Sequence, residues 1–241
     1  MIYIIGIGPG GSTKYLTARA LEVFAKVDEA LYVGEMIGPP IRNLFESGKL
    51  RTGRLTTDEV RAAMENAISA GRDLAILVPG DPSLYSGQHG REKSVGDYLA
   101  WLRSAKAKFE VIPGISSCMA LCASAGVDMT DFGTSQAVLV VSLERMITVS
   151  ANKTLDWASL GEACQSRPAL VLFQSYAERA SLPGFLSQHY PQETEVIVGY
   201  KISWPEESIH RMPLSAFSTA KLGEDLAKHS IIIILPSKTT P

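Results

Sequence analysis

The sequence predicts an α/β protein made of two α/β domains with a cleft between them, and three observations lead there. Continuous apolar runs of strand length alternate with amphipathic helical stretches from the first residues onward. A second series of the same alternation starts after a glycine-terminated helix near the middle of the chain. Neither low-complexity sequence nor a long flexible linker separates the two series, so the halves are expected to pack closely. With 241 residues and 46% apolar content, the chain has material for two cores. The boundary is placed so that residues 1–116 form the first domain and 117–241 the second.

The first domain opens on Ile2 to Ile7, an apolar run that ends among glycines and suits a strand buried on both faces of a parallel sheet. A short glycine loop follows. From about Thr13 to Phe24, Leu16, Ala20, Leu21 and Phe24 recur at helical spacing, and Ala30 to Val33 reads as a second strand. The next helix begins at TTDEV, where Thr56 caps and Glu59, three residues on, completes a capping box. Its apolar stripe is Val60, Ala63, Met64, Ala67 and Ile68, and Gly71 ends it. That stripe must face a sheet. Leu74 to Val78 supplies one strand, ending in PGDPSLYSG, and Phe109 to Ile112 supplies another, ending in PGISS. A helix then runs from near Ser116 to Gly126. Beyond it, Ala137 to Ser142, Ala169 to Phe173, Glu195 to Tyr200 and Ile231 to Leu235 read as the strands of the second domain.

Composition narrows the function classes. The 23 basic and 25 acidic residues give a net charge of -2, which lacks the basic footprint a nucleic-acid backbone requires. An anionic ligand must therefore be met by a local cluster. Cys118, Cys122 and Cys164 are too few for a disulfide framework and read as reduced, buried thiols. Cys118 and Cys122 are spaced like one helix face, but no His or second Cys pair accompanies them, so no metal site is expected. The N-terminus lacks the features of a signal peptide, and no apolar run approaches the ~20 residues of a spanning helix. A soluble, cytoplasmic protein without a membrane or nucleic-acid partner is expected.

Three loops of the first half share one topological position, the C-terminal end of a parallel strand, where open α/β sheets bind their ligands. They are GIGPGG (Gly6 to Gly11), PGDPSLYSG (Pro79 to Gly87) and PGISS (Pro113 to Ser117). Their glycines let ligand atoms approach main-chain groups closely. Gly6, Gly8 and Gly11 alone fit the GxGxxG dinucleotide fingerprint. Against that reading, Pro9 removes an N–H from the loop that would cradle a pyrophosphate, and Glu35 only loosely offers the acidic partner. Plain turn-making accounts for any one such loop. Three at one sheet edge point to a pocket.

Taken in order, GIGPGG after the first strand, GDPSLYSG after a central strand and IPGISS before a helix resemble the signature set of the tetrapyrrole methylase family, and the resemblance covers nearly the whole chain. Within the family, YKISWPEESIHRMPL (Tyr200 to Leu214) and SQAVLVVS near Ser135 and Gln136 are similar to segments of the precorrin-4 methyltransferase subgroup. The resemblance implies a two-domain homodimeric enzyme of cobalamin biosynthesis that binds S-adenosylmethionine in the cleft, releases S-adenosylhomocysteine, and methylates precorrin-4 or cobalt-precorrin-4 at carbon 11. By position, Pro9 belongs to the loop near substrate and cofactor; Gly80, Asp81 and Tyr85 to the cofactor-contacting loop; Ser116 and Ser117 to the pair at the helix start. Gln174 and Ile197 fall at two further cofactor-lining positions. Met212 and Pro213 depart from the family's Gly-Thr, and Ser86 replaces its usual Gly.

The chemistry this implies needs little from acid or base groups. A sulfonium methyl is already electrophilic and a tetrapyrrole carbon is itself the nucleophile, so in-line positioning and water exclusion carry the acceleration, worth ~7–11 kcal/mol when geometry is well held. Asp81 and Tyr85 are the candidate bases for a proton lost after methylation, with water or a substrate propionate as alternatives, and Asp81 equally suits an Asx contact within its own loop. Acetate and propionate carboxylates call for cations at the rim, and Lys14, Arg91, Lys93, Lys201 and Arg211 lie in or beside the implicated loops, with His89 and His210 nearby. Other methylases of the family take another precorrin, uroporphyrinogen, a protein or ribosomal RNA as acceptor. A cofactor-binding protein without turnover is the reading from another class.

Overall fold

β1 (Ile2–Gly6) sits between β4 (Leu74–Val78) and β5 (Phe109–Ile112) and pairs with both in parallel. Beyond β4 lie β2 (Glu29–Val33) and β3 (Leu50–Gly53), also parallel, giving a five-stranded sheet of order β3-β2-β4-β1-β5. The computed structural model describes residues 1–34, 36–53, 55–85, 94–131, 135–150, 154–175, 180–217 and 229–236.

The alternation of side chains explains why β1 reads as an unbroken apolar run. Tyr3, Ile5 and Ile7 point into a core shared with α1 (Ala18–Phe24) and α2 (Pro39–Arg42). Ile2 and Ile4 point into another, shared with α3 (Thr57–Ser69) and α4 (Val95–Ser104). Both faces are covered, so polar residues have no place on the strand, and each fully buried isoleucine contributes ~1.5–3 kcal/mol. Chain direction follows from the same arrangement. The β1-to-β2 connection runs one way along the sheet over one face, and the β4-to-β5 connection runs the other way over the opposite face. The ends of β1 and β4 therefore flank a switch point, where a crevice opens.

Local sequence sets the helices. Thr56 accepts from the Glu59 amide while Glu59 accepts from the Thr56 amide, so the expected capping box of α3 is formed. Gly71 follows in the left-handed conformation, at φ 66°. Val60, Ala63, Met64 and Ala67 are buried as the stripe requires, but Ile68 is 40% exposed. The stretch read as one helix from Thr13 to Phe24 divides instead. A single 3-10 turn (Thr13–Tyr15) precedes Thr17, whose hydroxyl caps α1, and Leu21 is left 43% exposed. β3, α2 and α4 carried no sequence signal strong enough to be read; β3 is a short edge strand, LRTG, without alternation.

By internal contacts the chain divides into one unit of Met1–Ala120 with Ser203–Pro205 and another of Leu121–Ile202 with Glu206–Pro241. The expected boundary at residue 116 marks the start of α5 (Ser117–Ala125), and the observed division falls inside that helix. The second unit holds a mixed sheet of order β6-β7-β10-β8-β9. β6 (Val138–Ser142) and β7 (Ala169–Phe173) are parallel, whereas β10 (Ser230–Leu235) runs antiparallel to β7 and β8 (Glu195–Tyr200). β9 (Ser208–Pro213), unread in the sequence, is the antiparallel edge strand and ends on Pro213, as an edge tolerates. Its residues are half-buried or exposed, which left no apolar run to detect.

α6 (Leu143–Val149), α7 (Trp157–Cys164), α8 (Leu182–His189) and α9 (Leu214–Phe217) flank this sheet, and one core gathers Leu143, Leu160, Leu186 and Leu214 against Leu172, Val196, Val198 and Ile234. Ser135 knits the sheet together from the start of β6: its hydroxyl accepts from the Ala137 and Ala169 amides and donates to the Ala137 carbonyl. Cys118, Cys122 and Cys164 are buried and unbridged. Among the described residues, no helix is long and apolar enough to cross a membrane.

Candidate functional site

The three glycine-bearing loops of the first unit meet at the C-terminal ends of adjacent strands. Gly8 donates to the Gly80 carbonyl at 3.2 Å and Gly80 donates back to the Gly8 carbonyl at 2.6 Å, a two-bond bridge between the loops after β1 and β4. A Cβ on Gly6 would sit 2.6 Å from both the Gly114 amide and the Gly80 carbonyl. One on Gly114 would collide with the Gly80 carbonyl and with Gly6. Only hydrogen fits at Gly6 and Gly114, because three main chains cross there.

Asp81 locks the arrangement. One carboxylate oxygen accepts from the Ser83 amide at 2.7 Å, an Asx contact within its own loop, and the other accepts from the Gly114 amide at 3.0 Å, in the loop after β5. Its neighbour Gly80 is left-handed, at φ 69°, and among the described residues a Cβ there would meet nothing nearer than the Ser116 Cα at 3.9 Å. Among the described residues, open space therefore lies beside Gly80, bounded by the start of α5. There Ser116 and Ser117 are half-buried, with the Ser116 hydroxyl 3.3 Å from the Cys118 thiol. Tyr85 closes the described part of the β4 loop in a left-handed conformation, at φ 49°. That conformation is uncommon for a non-glycine residue and is held only where surroundings over-determine it.

The loop after β1 is fixed further out as well. The Gly38 amide donates to the Gly10 carbonyl at 2.7 Å. The turn bearing Gly38 is itself anchored by Tyr32, whose hydroxyl donates to the Met36 carbonyl at 2.9 Å. Burial pushes the Tyr32 phenol up to about 12, so it stays a donor. From the far end of the sequence, the Ser203 hydroxyl accepts from the Gly11 amide at 3.0 Å and the Trp204 indole donates to the Pro9 carbonyl at 3.3 Å. Nothing local in the sequence linked residues 203–204 to residues 9–11; the contacts separate partners by more than 190 positions.

Pro9, Gly80, Asp81, Tyr85, Ser116 and Ser117 thus belong to one unit and one end of one sheet. Gln174 and Ile197 belong to the other. Gln174 follows β7 directly, left-handed at φ 53°, and its side-chain oxygen accepts from the Ser142 hydroxyl. Ile197 is wholly buried mid-strand in β8.

The candidate rim cations separate by environment. Lys14 is exposed on the 3-10 turn beside the first loop, its ammonium 5.0 Å from the Tyr15 ring centroid. Lys201, left-handed at φ 44°, lies 3.6 Å from Glu206. Arg211 faces β8, where Glu195 grips its guanidinium through two contacts of 2.7 and 3.0 Å and the Ala125 carbonyl accepts a third. The Glu195 bonds hold its pKa above the usual guanidinium range. A cation already matched in that way suits an internal role better than the capture of a substrate carboxylate. His210 lies on the same strand, 3.3 Å from the Ser208 hydroxyl. Arg91, Lys93, His89, Glu35 and Ser86 lie outside the described residues.

Comparison with known proteins gives a consistent picture. A family model described as Tetrapyrrole (Corrin/Porphyrin) Methylases matches residues 1–218. The chain is 27% identical over 235 residues to a precorrin-4 C(11)-methyltransferase of Rhodococcus erythropolis, covering 97% of this chain and 90% of that protein. It is 23% identical to a cobalt-precorrin-4 C(11)-methyltransferase of Priestia megaterium, covering 96% and 86%. Among solved structures, a cobalt precorrin-4 methyltransferase shares the fold with a TM-score of 0.82 at 21% identity, over 97% of this chain and 93% of that one. A uroporphyrin-III C-methyltransferase from Thermus thermophilus, complexed with S-adenosyl homocysteine, follows at 0.72 and 19%, over 97% and 96%.

Proposed function

This chain belongs to the tetrapyrrole (corrin/porphyrin) methylases, and from that premise we propose that it moves the methyl group of S-adenosylmethionine onto carbon 11 of precorrin-4 or cobalt-precorrin-4. It is an S-adenosylmethionine-dependent methyltransferase by family. The choice of acceptor rests on relatives named for the metal-free and for the cobalt substrate, each covered over most of its length.

The observation that carries the reading is the crossing of three main chains at Gly6, Gly80 and Gly114, with open space, among the described residues, beside Gly80 and Ser116. A pocket walled by backbone fits a nucleoside donor, whose amino, carboxylate and ribose groups find amides and carbonyls there, and Ser116 and Ser117 add hydroxyls. The donor supplies an electrophilic sulfonium methyl. The chain's own part is to orient that donor through the loops after β1, β4 and β5, to keep water from the reacting centre, and to hold the acceptor carbon in line. Charge is dispersed as the methyl moves, so no oxyanion hole is called for. With both carboxylate oxygens taken by amides, Asp81 serves the shape of the loop, and a released proton leaves to water or a substrate propionate. Lys14, on the first unit, is the cation proposed for acceptor carboxylates; for Lys201, Gln174 and Ile197, on the second unit, a role toward acceptor or donor rests on the family resemblance alone.

The test is incubation of the purified protein with labelled S-adenosylmethionine and enzymatically made precorrin-4 or cobalt-precorrin-4, followed by mass spectrometry and NMR of the product. One added methyl on carbon 11 is expected. A methyl on another carbon, or label transferred only to a different precorrin or to uroporphyrinogen, would replace this acceptor assignment.

A further inference from the structure

We propose that Ser203 and Trp204 are positioning residues for the acceptor, acting by fixing the outer half of the loop after β1; the inference rests on the methyl-transfer reading above. Three residues in succession on that loop have a backbone polar group occupied by a distant partner: the Pro9 carbonyl by the Trp204 indole, the Gly10 carbonyl by the Gly38 amide, and the Gly11 amide by the Ser203 hydroxyl. The root of the loop is tied separately, through the Gly8 and Gly80 bridge. The root therefore belongs to the donor-side loops, and the outer half to the turn at residues 203–204.

Two features show that the contact is built into both partners. Gly11 admits no side chain, because a Cβ would lie 2.6 Å from the Ser203 carbonyl oxygen and from the Trp204 Cγ. The turn itself is strained: Lys201 at φ 44° and Ser203 at φ 75° are both left-handed, which in non-glycine residues persists only where the surroundings over-determine it. Both partners lie in one compact unit, although the chain neighbours of Ser203–Pro205 are grouped with the other. With these groups occupied and Pro9 lacking an N–H, the outer loop offers a ligand the half-exposed proline ring in place of an anion nest. An apolar ledge suits the face of a conjugated macrocycle and not a phosphate.

The test uses Ser203→Gly and Trp204→Phe in the full chain. Glycine relieves the left-handed strain while removing the acceptor oxygen, so a merely structural contact predicts an unchanged or raised Tm and unchanged kinetics for Ser203→Gly. The positioning role predicts instead a KM for the tetrapyrrole raised by about 3- to 10-fold in either variant, the equivalent of one lost hydrogen bond, with the Kd for S-adenosylhomocysteine within about 2-fold of the parent. Trp204→Phe keeps most of the buried ring and loses only the donor. Hydrogen exchange at the Gly11 amide should quicken in Ser203→Gly, a readout independent of which acceptor is used. Should the acceptor KM stay at the parental value in both variants, the positioning role is overturned, whether or not exchange at Gly11 quickens. Should the parent methylate no tetrapyrrole, the proposed function fails, and the exchange measurement still decides whether the turn holds the loop.

Discussion

Both oxygens of Asp81 accept backbone N–H groups, one from its own loop and one from the loop after β5, which supports the loop-shaping one of the two roles its position suggested. An asparagine there has one acceptor oxygen and would turn its amide against the remaining N–H. Losing one bond to a charged acceptor is worth ~1.5–3 kcal/mol, so Asp81→Asn should weaken S-adenosylhomocysteine binding by about 10-fold or more in calorimetry. Turnover at saturating donor and acceptor should fall less than about 10-fold in the same variant. A loss of about 100-fold or more in that rate, with one limb of the pH profile removed, would identify Asp81 as a general base. Residue identity and the Asx contact within the loop were readable here, since GDPSLYSG stood out; the Gly114 partner was not, because it approaches only through the sheet.

At the scale of elements, α3 illustrates how far local signals reach. Its capping box was legible because both partners are three residues apart and the physics is local. Thr56→Ala should cost about 1 kcal/mol, seen as a Tm lowered by roughly 2–4 °C for a chain of this size. The Glu59 carboxyl sits below the usual range because the Thr56 amide, and then its hydroxyl, bond to the charged form. A depressed carboxylate stabilises the fold above its unfolded pKa and loses that contribution as pH falls through the folded value. Glu59→Gln keeps an acceptor for the box without titrating, so its Tm should decline less than the parent's between about pH 6 and pH 3. An equal decline in both would show that the box does not contribute to the acid response. Asp156, capping α7 through Ser159, Asp128, bonded by the Thr130 amide and hydroxyl, and Glu110, paired with Arg19, shift in the same direction and add to the same acid response. Elements were missed where such signals are absent: β3 and β9 are edge strands without a buried run, and the break before α1 turns on Thr17, a cap placed inside a helical periodicity.

At the scale of the whole molecule, the net charge of -2 leaves the capture of a polyanionic acceptor to local cations such as Lys14. The proposed assembly is a homodimer. Sedimentation velocity at micromolar concentration should return twice the mass of one chain, and a single-chain mass across that range would remove the dimer from the account. By itself the amino-acid sequence determined the α/β class, eight of the strands and the three loops at strand ends, because a strand buried on both faces must be apolar throughout and a main-chain crossing must be glycine. Only the tertiary structure decided that the loops touch, that Asp81 bridges two of them, that Arg211 is matched by Glu195, and that Ser203 and Trp204 close over Pro9 and Gly11. Those are pairings between residues 16 to 195 positions apart, and a hydrogen bond leaves no periodicity in a sequence from which its distant partner can be read.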